Sequence, residues 1–120
     1  GENGTIGDEE QKFIIPIIKK LQSEGYNLLG PLSADTMFYG KKRPRFDAAI
    51  CMYHDQALIP IKTLDFHTSV NLTIGLSFIR TSPDHGTAFD IAGKNLANPT
   101  STIEAIKLAW NMAKKERKDR

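Results

Sequence analysis

Apolar side chains at Phe13, Ile14, Ile17, Ile18 and Leu21 recur with helical spacing and predict a helix over residues 8–24. Asp8-Glu9-Glu10-Gln11 has the form of a capping box, with carboxylates where a helix N-terminus favours them. Gly25 is a stop signal, and Pro16, which lacks an N–H, predicts a kink or a break within the helix. Residues 1–7, rich in glycine, read as a flexible lead-in. Residues 26–29 read as a short strand, Gly30-Pro31 as a turn, Ser33-Ala34-Asp35-Thr36 as the opening of a short helix, and Lys41-Lys42-Arg43-Pro44 as a polar loop. The almost continuously apolar stretch 46–53 predicts a strand buried on both faces. Two more strands are expected over residues 70–74 and 77–81, parted by Gly75. Thr100 or Ser101 caps a last helix, with Glu104 completing a capping box and Ile103, Ile106, Trp110 and Ala113 forming its buried stripe.

This order of elements predicts an α/β fold in which a mixed sheet is flanked by helices. A chain of 120 residues has the length of one domain and is expected to bury roughly two thirds of its unfolded surface. No internal repeat and no second domain is visible. With 40% apolar and 25% charged residues, the composition is that of a globular protein, and no apolar run is long enough to span a bilayer. Sixteen basic against fourteen acidic residues leave a net charge of only +2, part of it in the tail from Lys114 to Arg120, which argues against a nucleic-acid binder. The lone cysteine, Cys51, lies among Ala48, Ala49, Ile50 and Met52 and predicts a reduced, buried thiol and a cytoplasmic setting. No targeting segment is visible, and the opening at Gly1 in a loop-like stretch suggests a fragment, which would expose apolar surface and favour dimerisation or aggregation.

The most informative candidate is His54, because it follows the 46–53 strand and has Asp55 beside it, and functional side chains gather at strand carboxyl ends. An imidazole there suits a divalent metal ligand oriented by a neighbouring carboxylate, although a lone histidine at a strand end is more often a hydrogen-bonded structural residue. Lys62, Asn71 and Arg80 form a second set that suits an anionic, hydroxylated ligand: a point charge, an amide that donates and accepts, and a planar fork. The alternative is that Lys62 and Arg80 are solvated surface charges. Arg80 lies within Phe78-Ile79-Arg80-Thr81, where a buried strand would require a partner for its charge. Third, Asp84-His85-Gly86-Thr87-Ala88, running on through Gly93 to Asn98-Pro99, places small residues where backbone N–H groups could approach a nucleotide, with His85 and Asn98 able to meet ribose and adenine edges. On composition alone it is a loop leading into a helix, and it carries neither a Rossmann nor a Walker fingerprint. His67 reads as solvated, and Cys51 has no base near it in sequence.

Four blocks in order, Gly30-Pro31-Leu32-Ser33-Ala34-Asp35-Thr36, Met52-Tyr53-His54-Asp55-Gln56, Val70-Asn71-Leu72-Thr73-Ile74-Gly75-Leu76 and Phe78-Ile79-Arg80-Thr81-Ser82-Pro83-Asp84-His85-Gly86-Thr87-Ala88, resemble the 4-hydroxythreonine-4-phosphate dehydrogenase family. The segment 84–98 also resembles the cofactor loop of the wider isocitrate and isopropylmalate dehydrogenase group. The resemblance implies that residues 1–120 are the carboxyl-terminal portion of a larger two-domain, homodimeric dehydrogenase whose N-terminal portion is absent. It implies NAD and a divalent metal ion (zinc, magnesium or cobalt) held by three histidines, of which His54 matches one, the other two being upstream of Gly1. It further matches Lys62, Asn71 and Arg80 to substrate-binding positions, Asp35 to an acidic residue near metal and substrate, and His85, Gly86, Thr87, Ala88 and Asn98 to the cofactor loop.

The activity so implied is oxidation and decarboxylation of 4-phosphooxy-L-threonine in vitamin B6 biosynthesis, with Lys62 or Asp35 serving in proton transfer. On this expectation the isolated chain is inactive. Two alternatives stand beside it: a catabolic relative acting on a four-carbon sugar-acid phosphate such as erythronate or threonate phosphate, and a non-catalytic fragment.

Overall fold

The computed structural model describes residues 2–39 and 46–118, and the loop expected at Lys41-Lys42-Arg43-Pro44 lies outside the described residues. The chain divides into two compact units, Gly1–Met52 and Tyr53–Arg120. No change in composition marks that boundary.

In the first unit, a π-helical turn over Glu10–Ile14 runs into the α-helix α1, Ile15–Ser23. The cause is Pro16, which sits in the first turn of α1 and has no N–H to give to the carbonyl four residues back. One extra residue is taken up immediately before it, where the Ile15 N–H reaches the Glu10 carbonyl, so the expected break is a widened turn. The capping box does not form. Glu9 makes no side-chain cap bond, the Asp8 carboxylate pairs with Lys12, and the Gln11 amide donates instead to the Asn3 carbonyl at 2.8 Å. The C-terminus of α1 is a complete Schellman motif: Gly25 has φ +95°, its N–H reaches the Gln22 carbonyl, and the Tyr26 N–H reaches Leu21, each at 3.1 Å.

Three expected elements are not formed. Residues 26–29 are irregular, and the 33–36 segment opens no helix but leads into a turn over residues 34–38, after which the Tyr39 N–H reaches the Thr36 carbonyl at 3.1 Å. Residues 46–53 form no strand, and Ile50, Met52 and Tyr53 are exposed. A strand apolar on both sides is stable only between neighbouring strands and covering layers, and the described residues offer it neither.

The second unit contains α2 (His54–Leu64), β1 (Val70–Thr73), β2 (Arg80–Pro83) and α3 (Thr100–Lys118). β1 and β2 pair antiparallel with Val70 opposite Pro83 and Thr73 opposite Arg80, and no mixed sheet forms among the described residues. The architecture is therefore a small α/β arrangement with a two-stranded ribbon on one helix. Because side chains alternate along a strand, Val70, Leu72, Thr81 and Pro83 share the face toward α3, where the Thr81 hydroxyl donates to the Ala105 carbonyl at 2.9 Å. Asn71, Thr73, Arg80 and Ser82 share the other face.

α3 approaches the ribbon through Ser101 and Ala105, both only 4% exposed, with Leu108, Ala109, Met112 and Ala113 half-buried. The stripe expected from sequence is largely the wrong face: Ile103, Ile106 and Trp110 are exposed, the last two 65% and 60%. Small residues win the inner face because they let the helix backbone come close enough for Thr81 to reach it. Ala105 is the one apolar residue buried in the core among the described residues, far less than a domain of this length is expected to bury.

Ala105→Leu is expected to lower stability by about 1–3 kcal/mol through overpacking, while Ile106→Ser shifts it by no more than about 0.5 kcal/mol. Urea unfolding of the two variants checks this, and the reverse order would return the inner face to Ile106.

Candidate functional site

His54 does not end a strand. It is the first residue of α2, entered from an extended Tyr53 (φ −152°, ψ 164°), and Asp55 lies in the first turn, where a carboxylate is favoured by the helix dipole. The imidazole Nδ1 lies 2.7 Å from Asp55 Oδ1 with both side chains largely exposed. At eight residues' separation, His54 and Lys62 are about 12 Å apart along the helix axis, so α2 sets them at opposite ends.

Lys62, in the last turn of α2, is half-buried: its ammonium donates to the Asp84 carbonyl, lies 3.6 Å from Asp84 Oδ2 and sits 5.2 Å from the centre of the Phe66 ring. Asn71 and Arg80 lie one on each strand of the ribbon, on the face opposite α3 and two positions apart in register. Arg80 is the first residue of β2 rather than the interior of a buried strand, it is exposed, and its guanidinium donates to the Thr73 hydroxyl at 2.8 Å. No carboxylate is needed there, because water already solvates the charge. Asp35 belongs to the other unit, in the 34–38 turn.

The loop from Asp84 to α3 is held by its own side chains. His85 Nδ1 donates to the Gly86 carbonyl at 3.0 Å, and Nε2 lies 3.4 Å from the Thr102 hydroxyl. Asn98, not Thr100 or Ser101, caps α3: its Oδ1 accepts from the Thr100 N–H at 3.0 Å and the Thr100 hydroxyl at 2.6 Å. Its amide nitrogen meets His67 Nδ1 at 3.2 Å, which gives His67 a partner the sequence did not suggest. Glu104 pairs with Lys107 instead of completing a box. Gly86, Thr87 and Ala88 are exposed, and Ala88 is left-handed with φ 45°.

Two groups escaped the sequence reading. Ser101, considered only as a cap, donates to the Ser69 carbonyl at 2.7 Å and accepts from the Asp84 N–H at 3.0 Å. Asp65 closes the turn between α2 and β1, accepting from the Thr68 N–H at 3.2 Å and from the Thr68 hydroxyl. The spacing Asp-x-x-Thr between a helix and a strand was the available signal for it.

The family model for pyridoxal phosphate biosynthetic protein PdxA matches residues 1–109. The chain belongs to the PdxA family. Relatives named 4-hydroxythreonine-4-phosphate dehydrogenase include one from Ruegeria sp. (strain TM1040), 66% identical over 95% of this chain. Another is from Roseobacter denitrificans, 68% identical over 94% of it, and a third from Paracoccus denitrificans is 61% identical over 94%. The chain spans about a third of the length of these relatives, 35% in each case.

This PdxA-family chain does not by itself fit a metal centre. A catalytic zinc-like ion takes about three protein ligands, and no cluster of three His, Cys, Asp or Glu side chains is placed to hold an ion among the described residues. His54 and Asp55 offer one imidazole and one carboxylate, both open to water. The 84–88 segment is likewise an open wall rather than a closed cradle, since a Cβ added at Gly86 would meet nothing within 4 Å. Within the described residues of the family member, no helix is long and apolar enough to cross a membrane.

The hydroxyl and then the N–H of Thr68 hold the Asp65 carboxyl below the ordinary aspartate range. Since the folded value is depressed, the turn gains stability from this carboxylate above the unfolded value of about 3.9 and loses it as pH falls through the lower folded value. An NMR titration is expected to place the Asp65 midpoint below about 3.9 and to raise it only part of the way toward that value in Thr68→Val, which removes the hydroxyl and keeps the N–H.

Proposed function

We propose that this chain supplies part of the active site of an NAD-dependent 4-hydroxythreonine-4-phosphate dehydrogenase of vitamin B6 biosynthesis. The carrying observation is the 61–68% identity to relatives of that name over nearly the whole chain. The placement of Asn71 and Arg80 on one ribbon face supports it, because a guanidinium and an amide presented on the same face suit an anionic, hydroxylated substrate. The remaining groups come from residues beyond these 120, in keeping with the third of the relatives' length that the chain spans. We place the segment at the carboxyl-terminal end of a two-domain homodimer of the isocitrate and isopropylmalate dehydrogenase type, working in the cytoplasm.

In this reading Lys62 and Arg80 hold the anionic ends of 4-phosphooxy-L-threonine, and Asn71 orients it. His85, Gly86, Thr87, Ala88 and Asn98 form one wall of the NAD site. NAD, when bound there, would supply the hydride acceptor for the hydroxyl-bearing carbon, and loss of carbon dioxide from the β-keto acid so formed would give 3-amino-2-oxopropyl phosphate. The hydroxyl proton passes to a base, for which Asp35 and Lys62 are the candidates. His54 contributes one ligand to a divalent ion completed from outside the chain.

The test is NADH formation at 340 nm by the complete protein that carries this segment. Turnover of 4-phosphooxy-L-threonine is expected, with Arg80→Ala lowering kcat/KM about 10- to 100-fold, the worth of one or two charge-assisted hydrogen bonds. His54→Ala is expected to reduce bound metal, read by elemental analysis. Turnover of erythronate or threonate phosphate alone would transfer the segment to a sugar-acid dehydrogenase, and turnover unaffected by either substitution would remove these residues from the site.

A further inference from the structure

The geometry points to Asp84 as a positioning residue whose carboxylate, beside its own backbone carbonyl, holds the Lys62 ammonium against the start of the 84–98 loop, so that the cation offered to an anionic substrate is placed before the substrate arrives. This rests on the reading of Lys62 as a substrate contact.

α2 packs against no other helix or strand among the described residues, so its last turn needs a tie to the ribbon. Lys62 provides one. Its ammonium is faced by two oxygens of a single residue, the Asp84 carbonyl and Oδ2 at 3.6 Å, and by the Phe66 ring. The pair is well shielded for a charged contact, with the Lys62 and Asp84 side chains 32% and 13% exposed. Asp84 is itself fixed. Its N–H donates to Ser101 Oγ at 3.0 Å, and that hydroxyl, buried under the ribbon, donates to the Ser69 carbonyl at 2.7 Å. A continuous line of bonds thus runs from the entry to β1, through α3, to Asp84 and on to the lysine.

A free lysine loses much rotamer freedom when a ligand pins it, and a side chain already pinned loses less. Having three donors, the ammonium can keep its hydrogen bond to the Asp84 carbonyl and its ion pair with the Asp84 carboxylate and still offer a donor to a phosphate or carboxylate. Asp84 therefore acts through Lys62 and has no contact of its own with substrate in this scheme.

In the complete protein, Asp84→Ala is expected to raise KM for the phosphorylated substrate about three- to tenfold, with kcat and KM for NAD changing less than about twofold. Combined with Lys62→Met, which removes the cation, Asp84→Ala should add nothing, because both substitutions act on one interaction. Additive losses would overturn the inference while leaving Lys62 in the site. A second measurement does not need turnover: acylation of Lys62 by acetic anhydride, followed by peptide mass spectrometry, should be several-fold faster in Asp84→Ala while Lys107 reacts at an unchanged rate. Equal Lys62 rates would overturn it. If the wild-type protein oxidises none of the phosphorylated acids, the functional reading falls, and the acylation comparison alone decides whether Asp84 holds the lysine.

Discussion

One hydroxyl organises the second half of this protein. In the register that puts Val70 opposite Pro83, the next pair of residues outward would be Ser69 and Asp84, and no further strand rung joins them. Ser101 Oγ takes the place of that rung, donating to the Ser69 carbonyl and accepting from the Asp84 N–H. A two-stranded ribbon alone is marginal in water. Here its open end is clasped by a buried side chain of α3, and the Thr81 hydroxyl on the Ala105 carbonyl fastens the same helix one turn further along. Both backbone groups are satisfied by one atom, so the clasp costs no buried polar group left unpaired.

The rest of the candidate site inherits its position from this clasp. With α3 against one face of the ribbon, the opposite face carries Asn71, opposite Ser82, and Arg80, opposite Thr73, and their sharing of that face follows from strand alternation once the first face is committed. Asp84 leaves the ribbon at a fixed point and meets Lys62 there. Beyond it the loop is held by His85 on Gly86 and Thr102, and by Asn98 on Thr100 and His67. The side chains that the resemblance assigns to nucleotide binding thus also stabilise the loop that carries them. His54 stands apart from this arrangement, at the far end of α2 and largely in water.

Much of the local structure was legible before folding. Pro16 announced its break, Gly25 the end of α1, and both strands and α3 lie within a few residues of where the pattern put them. The facing of α3 was not legible, because the helix is apolar on two sides. Periodicity finds the larger side chains of Ile103, Ile106 and Trp110, whereas close approach to a ribbon selects Ser101 and Ala105. The apolar run 46–53 and the segment 26–29 failed for another reason: a strand's hydrogen bonds lie outside itself, and a sequence can show readiness to pair without supplying a partner.

What the residues determined alone is therefore what local chemistry can determine: helix stops, turn points, the spacing of strands, and the four ordered blocks whose membership in the PdxA family the comparison bears out. Which groups meet was decided only in three dimensions. Asp84 with Lys62 is a contact across twenty-two residues, and Ser101 with Ser69 across thirty-two. Side-chain hydrogen bonds over such distances leave no periodic trace in a sequence, because they depend on where the ribbon and the helix come to rest against each other.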